Sequence, residues 1–309
     1  MTKLSIIVPV YNTEKYIADA IFSFFNQYQA GAELIIINDG SSDSSLDVIN
    51  STLSEINNPS YIQVFSQDNQ GVSVALNNAI KRCTGGYISF LDADDLLLDN
   101  YLSEIIKVID NKEPEIIEFG FCSFIEEQEL NNKKPNFVHN HFGMTKIGDA
   151  IDDIYSRSVW YPTIRVFKSS LVSGDVFPKG VRFCEDLMAL SKIYQKVENV
   201  YQIDKALYGY RINAEGATLN VKPDYFDNLL LFYNSLPNGN LRYLDYLRIN
   251  LAYILYRCSE GKKPGFRLKM DFLSLFIRYL FDEKISYRKK MILLSSRLYD
   301  SLKYIKGLS

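Results

Sequence analysis

Glu33-Leu34-Ile35-Ile36-Ile37-Asn38-Asp39-Gly40-Ser41-Ser42-Asp43 is the stretch from which the fold of this chain can be read. Its Leu34–Ile37 run is apolar at every position instead of alternating, which suits a strand covered on both faces, as in a parallel sheet. Its second half is a turn that opens a helix, with Ser42 or Asp43 suited to cap it. The same pattern recurs on either side. Runs at Leu4–Val8, Tyr61–Phe65 and Tyr87–Leu91 read as strands, and Glu14–Gln27, Ser44–Ile56 and Val72–Cys83 read as helices between them. Strand–helix–strand repetition with short connections implies right-handed crossovers in an α/β layer.

Further along, a mixed pattern over Asn100–Val138 ends in the polar stretch Glu126–Pro135, expected as a surface loop. A helix at Gly148–Ser156, a strand near Thr163–Phe167, a helix at Asp186–Gln195 and strands near Val197–Ile203 and Leu207–Arg211 complete the domain. Beyond Pro223 only helical patterns remain, at Tyr225–Ser235, Leu241–Ser259, Phe266–Phe281 and Ser286–Lys306. They are broken by Pro237-Asn238-Gly239 and Gly261-Lys262-Lys263-Pro264-Gly265. The expected division is a domain over 1–220, with a donor half of about 1–110 and an acceptor half of about 111–220, followed by a basic, amphipathic helical region over 221–309.

A chain of 309 residues, 47% hydrophobic and 23% charged, has the composition of a soluble globular protein with a sizeable core. No run reaches the roughly 18 apolar residues of a membrane span. The N-terminal stretch lacks the features of a signal peptide, and the cytoplasm is the expected compartment. Cys83, Cys122, Cys184 and Cys258 are scattered, which gives neither a disulfide framework nor a zinc site. The net charge of −3 conceals an asymmetry: residues 240–309 hold 15 Lys/Arg against 6 Asp/Glu, a balance of +9 that leaves −12 on the rest.

Ligands of an open parallel sheet bind outside the carboxyl ends of its strands. Three strand ends here carry suitable groups: Pro9-Val10-Tyr11-Asn12, Asn38-Asp39-Gly40-Ser41-Ser42-Asp43 and Asp92-Ala93-Asp94-Asp95. Carboxylates crowded at one strand end repel one another unless a cation lies among them, and Mg²⁺ and Mn²⁺ use one or two carboxylates plus phosphate oxygens. The plainer alternative is an acidic turn capping the next helix through Asp95 or Asp99. Asp39 is placed to accept hydrogen bonds from a base or ribose, with Tyr11 packing on the base. No G-x-G-x-x-G follows the first strand and no G-x-x-x-x-G-K-[ST] occurs, which argues against dinucleotide enzymes and P-loop NTPases. His139 and His141, the only histidines, flank a polar loop and are expected at the surface.

Taken together, Ser5–Asn12, Glu33–Asp43, Asn69-Gln70-Gly71-Val72-Ser73-Val74-Ala75-Leu76-Asn77 and Phe90–Asp95 closely resemble the family 2 glycosyltransferases of the GT-A fold. The resemblance covers about residues 3–110 strongly and 160–212 more weakly. It implies a Rossmann-like mixed sheet flanked by helices, and inverting transfer from a nucleotide diphosphate sugar, usually a UDP-hexose or UDP-N-acetylhexosamine. The acceptor it implies is a hydroxyl of a glycan or polyprenyl- or lipid-linked molecule, in the synthesis of an O-antigen, capsule or exopolysaccharide. It assigns donor binding to Pro9, Tyr11, Asn12, Glu14, Asp39, Asn69, Gly71, Asn77, Asp92, Ala93 and Arg211. A divalent cation, Mn²⁺ or Mg²⁺, would be held by Asp94 with Asp92. The family's Glu-Asp pair at a helix start is Glu185-Asp186 here, with Asp186 the expected base and Glu185 the alternative. This chain departs from the family in having Asn38 before Asp39, and Leu76 where an Arg is frequent; Arg211 is the residue that could supply the missing cation.

Trp160-Tyr161 is a candidate acceptor platform, since aromatic faces pack on sugar rings; a core position is the alternative. The basic C-terminal helices suit peripheral contact with anionic lipid at the inner face of the membrane, packing on the catalytic domain, or a homodimer interface. Nothing points to nucleic acid. A sugar nucleotidyltransferase would need a Gly-rich loop after the first strand, which is missing. A non-catalytic glycan-binding or scaffold subunit is the reading from another class, opposed by the presence of Asp92, Asp94 and Glu185-Asp186.

Overall fold

The computed structural model describes residues 2–212, 225–237, 239, 241–258 and 265–294. The first half of the chain alternates as expected: β1 (Leu4–Val10), α1 (Ile17–Phe25), β2 (Ala32–Asp39), α2 (Ser45–Glu55), β3 (Ile62–Gln67), α3 (Val72–Ile80) and β4 (Tyr87–Phe90). Strands β3, β2, β1 and β4 lie side by side in that order and are all parallel. Every residue of β2 is buried, the physical counterpart of its unbroken apolar run. Helix α1 buries Ile17, Ala20, Ile21 and Phe24, a stripe at helical spacing.

Past β4 the direction changes. The short β5 (Leu96–Leu97), α4 (Tyr101–Lys112), β6 (Ile116–Phe124), β7 (Gly143–Lys146), α5 (Ile147–Arg157), β8 (Arg165–Lys168), α6 (Glu185–Ile193) and β9 (Asn199–Arg211) follow. Among the described residues nine strands form one mixed sheet in the order β3-β2-β1-β4-β8-β6-β9-β5, with β7 on β9. Strand β8 enters antiparallel between β4 and β6, and β6 runs parallel to β9. The mixed stretch of the sequence therefore hides a helix and a central strand. Strand β6 was obscured because Glu118 and Gly120 interrupt its apolar run, although Glu118 is fully buried. The two separate strands expected near Val197–Ile203 and Leu207–Arg211 are one strand, β9, whose pairing with β6 shifts register around Gly120.

After β9 come α7 (Tyr225–Ser235), α8 (Arg242–Arg257), α9 (Phe266–Arg278) and α10 (Tyr287–Leu294). The part of the last expected helix beyond Leu294 lies outside the described residues. The chain divides into a first compact unit, Met1–Ala150 with Trp160–Ala214, and a second, Ile151–Val159 with Glu215–Ser309. In the second unit Asp245 on α8 is buried and accepts from Arg278, Arg248 and the Tyr279 hydroxyl, which ties α8 to α9. No helix among the described residues is long and apolar enough to cross a membrane.

One glycine is required both by its backbone conformation and by a close approach. Gly40 closes β2 at φ +67°, and a Cβ there would lie 2.7 Å from the Asn69 backbone nitrogen. Both the left-handed backbone and the close approach exclude a side chain. Gly40→Ala is expected to lower stability by about 1–3 kcal/mol in urea unfolding. Gly148→Ala, in α5 with open space around it, should be neutral or stabilising by about 0.5–1 kcal/mol. Equal effects would show that the approach of the two loops is dispensable.

Candidate active site

The carboxyl ends of β1, β2 and β4 sit side by side, and their turns are stitched together by side chains. Asn12, itself at φ 53°, accepts from the Ser42 amide at 2.8 Å and donates its own amide to Ser41 Oγ at 3.1 Å. Glu14 accepts from the Ser44 amide at 2.8 Å and donates its amide to Asp43 Oδ2 at 3.1 Å. Asp39 is buried, and its carboxylate accepts from Gln67 Nε2 (2.8 Å), the Gln70 amide (2.9 Å) and the Gly71 amide (2.8 Å). It thus pins the loop that carries Asn69 and Gly71, both exposed, over the end of β2. Tyr11 is exposed beside them.

The acidic turn after β4 divides its labour. Asp95 is buried and points inward, accepting from the Tyr208 hydroxyl at 2.6 Å and the Arg211 amide at 2.7 Å. It anchors the turn to β9 and does not cap α4, which begins after Asn100. Arg211 closes the same turn: its Nε donates to the Asp94 carbonyl at 2.8 Å, and its guanidinium lies 5.0 Å from the Tyr16 ring centroid and 4.7 Å from that of Phe124.

Asp92 and the acidic pair of α6 are almost a hundred positions apart in sequence, yet they act on one another electrostatically. Asp92 is exposed as a residue, while protein groups crowd its carboxyl. Burial, then the charges of Asp94 and Glu185, push its carboxyl up to about 7. Burial, then Glu185 and Asp92, hold Asp186 well above the usual carboxylate range, with Arg165 opposing in part. Burial also raises Glu185. Both residues lie in the first turn of α6, where the helix N-terminus favours negative charge. The negative charge of Asp186, after burial, raises the Tyr161 phenol as well, which places that half-exposed ring beside the pair.

Three expectations need correction. Trp160 is buried and meets Tyr194 edge to face at 6.1 Å, so it is a core residue and not a platform. Tyr161 stays at the site, stacked on Tyr210 with 5.9 Å between centroids. Asn77 is fully buried, and its amide both donates to the Phe177 carbonyl at 2.8 Å and accepts from the Phe177 amide at 3.0 Å. That bidentate clamp ties α3 to the segment before α6 and leaves the amide no face for a donor. His139 is fully buried on Glu118, not at the surface. The residues that motif reading missed are this pair with Arg165 and Tyr194, all fully buried. The available signal was two opposite charges beside apolar strand residues, Glu118 within β6 and Arg165 at the start of β8.

The description Glycosyl transferase family 2 fits a family model matched over residues 5–170, more than half of the chain. The chain belongs to that family. Among curated relatives, glycosyltransferase GlyA of Streptococcus pneumoniae is 28% identical over 68% of this chain and 30% of its own length. EpsJ, an uncharacterized glycosyltransferase of Bacillus subtilis, is 27% identical over 75% of this chain and 70% of its own length. The minor teichoic acid biosynthesis protein GgaB of the same organism is 26% identical over 74% of this chain and 26% of its own length. The chain thus spans less than a third of GlyA and GgaB. Among solved structures, S. aureus TarS 1–349 in complex with UDP-GlcNAc superposes with a TM-score of 0.70, covering 99% of this chain and 92% of that one at 19% identity. At that identity the likeness shows the fold, a mixed α/β sheet flanked by helices as in GT-A glycosyltransferases.

The charge cluster sets a pH dependence. The folded chain binds the Asp92 proton more tightly than the unfolded chain, whose carboxyl has the ordinary value of about 4. That group therefore contributes stability fully present below about 4 and lost as the pH rises through about 7. Thermal unfolding in EDTA should show a midpoint that falls from pH 5 to pH 8, with a shallower fall in Asp92→Asn. An unchanged slope in that variant would place the pH response elsewhere.

Proposed function

We propose that this chain is an inverting glycosyltransferase that moves a sugar from a UDP-hexose or UDP-N-acetylhexosamine to a hydroxyl of a glycan or lipid-linked acceptor. What supports it most is the electrostatic influence of Asp92, at the end of β4, and of Glu185 and Asp186, at the start of α6, on one another. Surface polysaccharide synthesis is the process we propose for it, in keeping with the name of GgaB.

The cluster suits a divalent cation brought in with a diphosphate. Asp95 is engaged inward, which leaves Asp92 and Asp94 as oxygen donors. No group of three His, Cys, Asp or Glu able to hold a metal occurs among the described residues. Mn²⁺ or Mg²⁺ needs no such cage when phosphate oxygens complete its shell. Asp94, with Asp92, would hold the ion, and the bound ion would neutralise charge building on the diphosphate leaving group. Tyr11 and the exposed loop at Asn69–Gly71 would line the nucleotide, with Asp39, Asn12 and Glu14 holding those loops in place. Arg211 would set the Asp94 turn and face the diphosphate. Asp186, in the first turn of α6, would take the acceptor proton; Glu185 stands beside it as the alternative.

Calorimetry with UDP-GlcNAc and Mn²⁺ checks the first part. Asp94→Asn should abolish metal-dependent binding while the protein stays folded, and unchanged affinity would remove Asp94 from the role. Asp186→Asn should keep donor affinity and lose transfer by about 10²–10⁴-fold; a parent-like transfer rate would pass the base to Glu185.

A second element of the reading is contact with an anionic membrane surface through α9. That helix buries Leu268, Phe272, Leu275 and Tyr279, yet on its opposite face Met270 and Ile277, with Phe281 just beyond its end, are 49%, 67% and 91% exposed. Exposed Arg267 and Lys269 flank this second apolar face, the composition of a helix that lies in a lipid interface. Ile277→Asp combined with Phe281→Asp should reduce flotation with phosphatidylglycerol-containing vesicles and leave donor binding intact. Equal flotation of parent and variant would exclude this face.

A further inference from the structure

Beneath Tyr161 lies a fully buried polar cluster that the reaction proposed above does not use: Glu118 on β6, Arg165 at the start of β8, His139 and Tyr194. Glu118 and Arg165 are direct cross-strand partners. The hydrogen-bond pattern fixes the protonation of each member. The His141 amide donates to His139 Nδ1 at 3.1 Å, so that nitrogen is unprotonated, and His139 Nε2 therefore carries the proton it donates to Glu118 Oε2 at 2.7 Å. The Tyr194 hydroxyl donates to Glu118 Oε1 and accepts from Arg165 Nε at 2.6 Å. Burial works to raise Glu118, but its bond to His139 and the charge of Arg165 outweigh it and hold the carboxyl below its ordinary value. One carboxylate and one guanidinium thus balance each other.

A burial this complete is more than strand pairing needs, and the guanidinium has a second employment. Arg165 donates an Nη to the Tyr161 carbonyl at 2.6 Å, across the single turn Pro162–Ile164. Tyr161 is also held from the side, by the Tyr210 stack and by the edge of Phe121 at 5.8 Å. The Arg165 charge opposes in part the raised proton affinity of Asp186, and the charge of Asp186 raises the Tyr161 phenol.

We propose that Arg165 is a positioning residue for the acceptor: gripped by Glu118 and Tyr194, it fixes the Tyr161 backbone and so holds the Tyr161 ring in register with Asp186. The proposal rests on the glycosyltransferase reading for the word acceptor, but the placement of the ring stands apart from it. Lys cannot replace Arg here, because an ammonium cannot span Tyr194 and the Tyr161 carbonyl with the fixed geometry of a guanidinium fork.

The test places 3-fluorotyrosine at position 161 and follows its ¹⁹F resonance. In the parent protein a single resonance is expected, shifted by Asp186→Asn. In Arg165→Lys the resonance should broaden or split, and the response to Asp186→Asn should vanish. Because a lone substitution can unfold a buried pair, the charge-balanced double variant Glu118→Gln with Arg165→Met is measured too, with its melting temperature. It should remain folded and show the same loss. A sharp, parent-like resonance with an intact Asp186 response in either folded variant would overturn the proposal. In the transfer assay both variants should keep donor affinity and lose acceptor kcat/KM by about 10²-fold; equal loss of donor affinity would assign the cluster to folding alone. If the parent binds no nucleotide sugar, the glycosyltransferase reading fails, while the fluorine resonance still decides whether Arg165 positions Tyr161.

Discussion

Carboxylates brought together from the end of one strand and the start of a distant helix are the constraint around which this structure is arranged. Carboxylates at the ends of β4 and at the start of α6 are close enough to raise one another's proton affinity, and burial adds to the effect. A fold would shed such an arrangement if it served only stability, since apolar or neutral polar residues would cost less there. The sheet explains how the cluster is sustained. Asp95 is neutralised inward by a tyrosine hydroxyl and a backbone amide, Arg211 spans the turn, and the α6 N-terminus softens the charge of the Glu185-Asp186 pair. What remains uncompensated is a small set of oxygens open to solvent, the arrangement an incoming cation and diphosphate would relieve.

The supporting layer is built from residues that a motif alone would assign to ligand contact. Asp39 holds the Gln70–Gly71 amides, Asn12 and Glu14 lock the first two turns together, and Asn77 clamps Phe177. A buried side chain whose polar atoms are satisfied by backbone groups gives a loop one conformation, and a loop with one conformation presents its exposed residues at fixed positions. On this view a motif of the family marks a loop geometry as much as a set of contacts. The Glu118–Arg165 cluster extends the same device to the opposite side, where it holds Tyr161 instead of a nucleotide turn.

Legibility along the chain followed burial. The parallel half could be read because strands covered on both faces carry long apolar runs, as Ile6–Val8 of β1 and Leu34–Ile37 of β2 do, with the buried polar Ser5 and Glu33 lying near the strand starts. Strand β6 is harder to read because Glu118 and Gly120 interrupt its apolar run, and His139 reads as a surface residue because its neighbours in sequence are polar. Both errors have one cause: a charge deep in the protein is tolerable only with a partner, and the partner is remote in sequence. The second apolar face of α9 escaped notice for a related reason, since a helix apolar on two sides gives no sign of which side is covered.

By itself the sequence determined the α/β class, the succession of the first four strands and the helices between them, and the three strand ends at which chemistry would gather. These follow from local periodicity, turn residues and composition, which act over a few positions. Only the tertiary structure decided that β8 would insert between β4 and β6, that α6 would bring its acidic pair to Asp92, and that Asp95 would face inward while Asp92 faced the site. It also decided which of Trp160 and Tyr161 would be buried. Those outcomes depend on which groups meet across long stretches of chain, and burial and electrostatic pairing between distant residues exist only once the chain has folded.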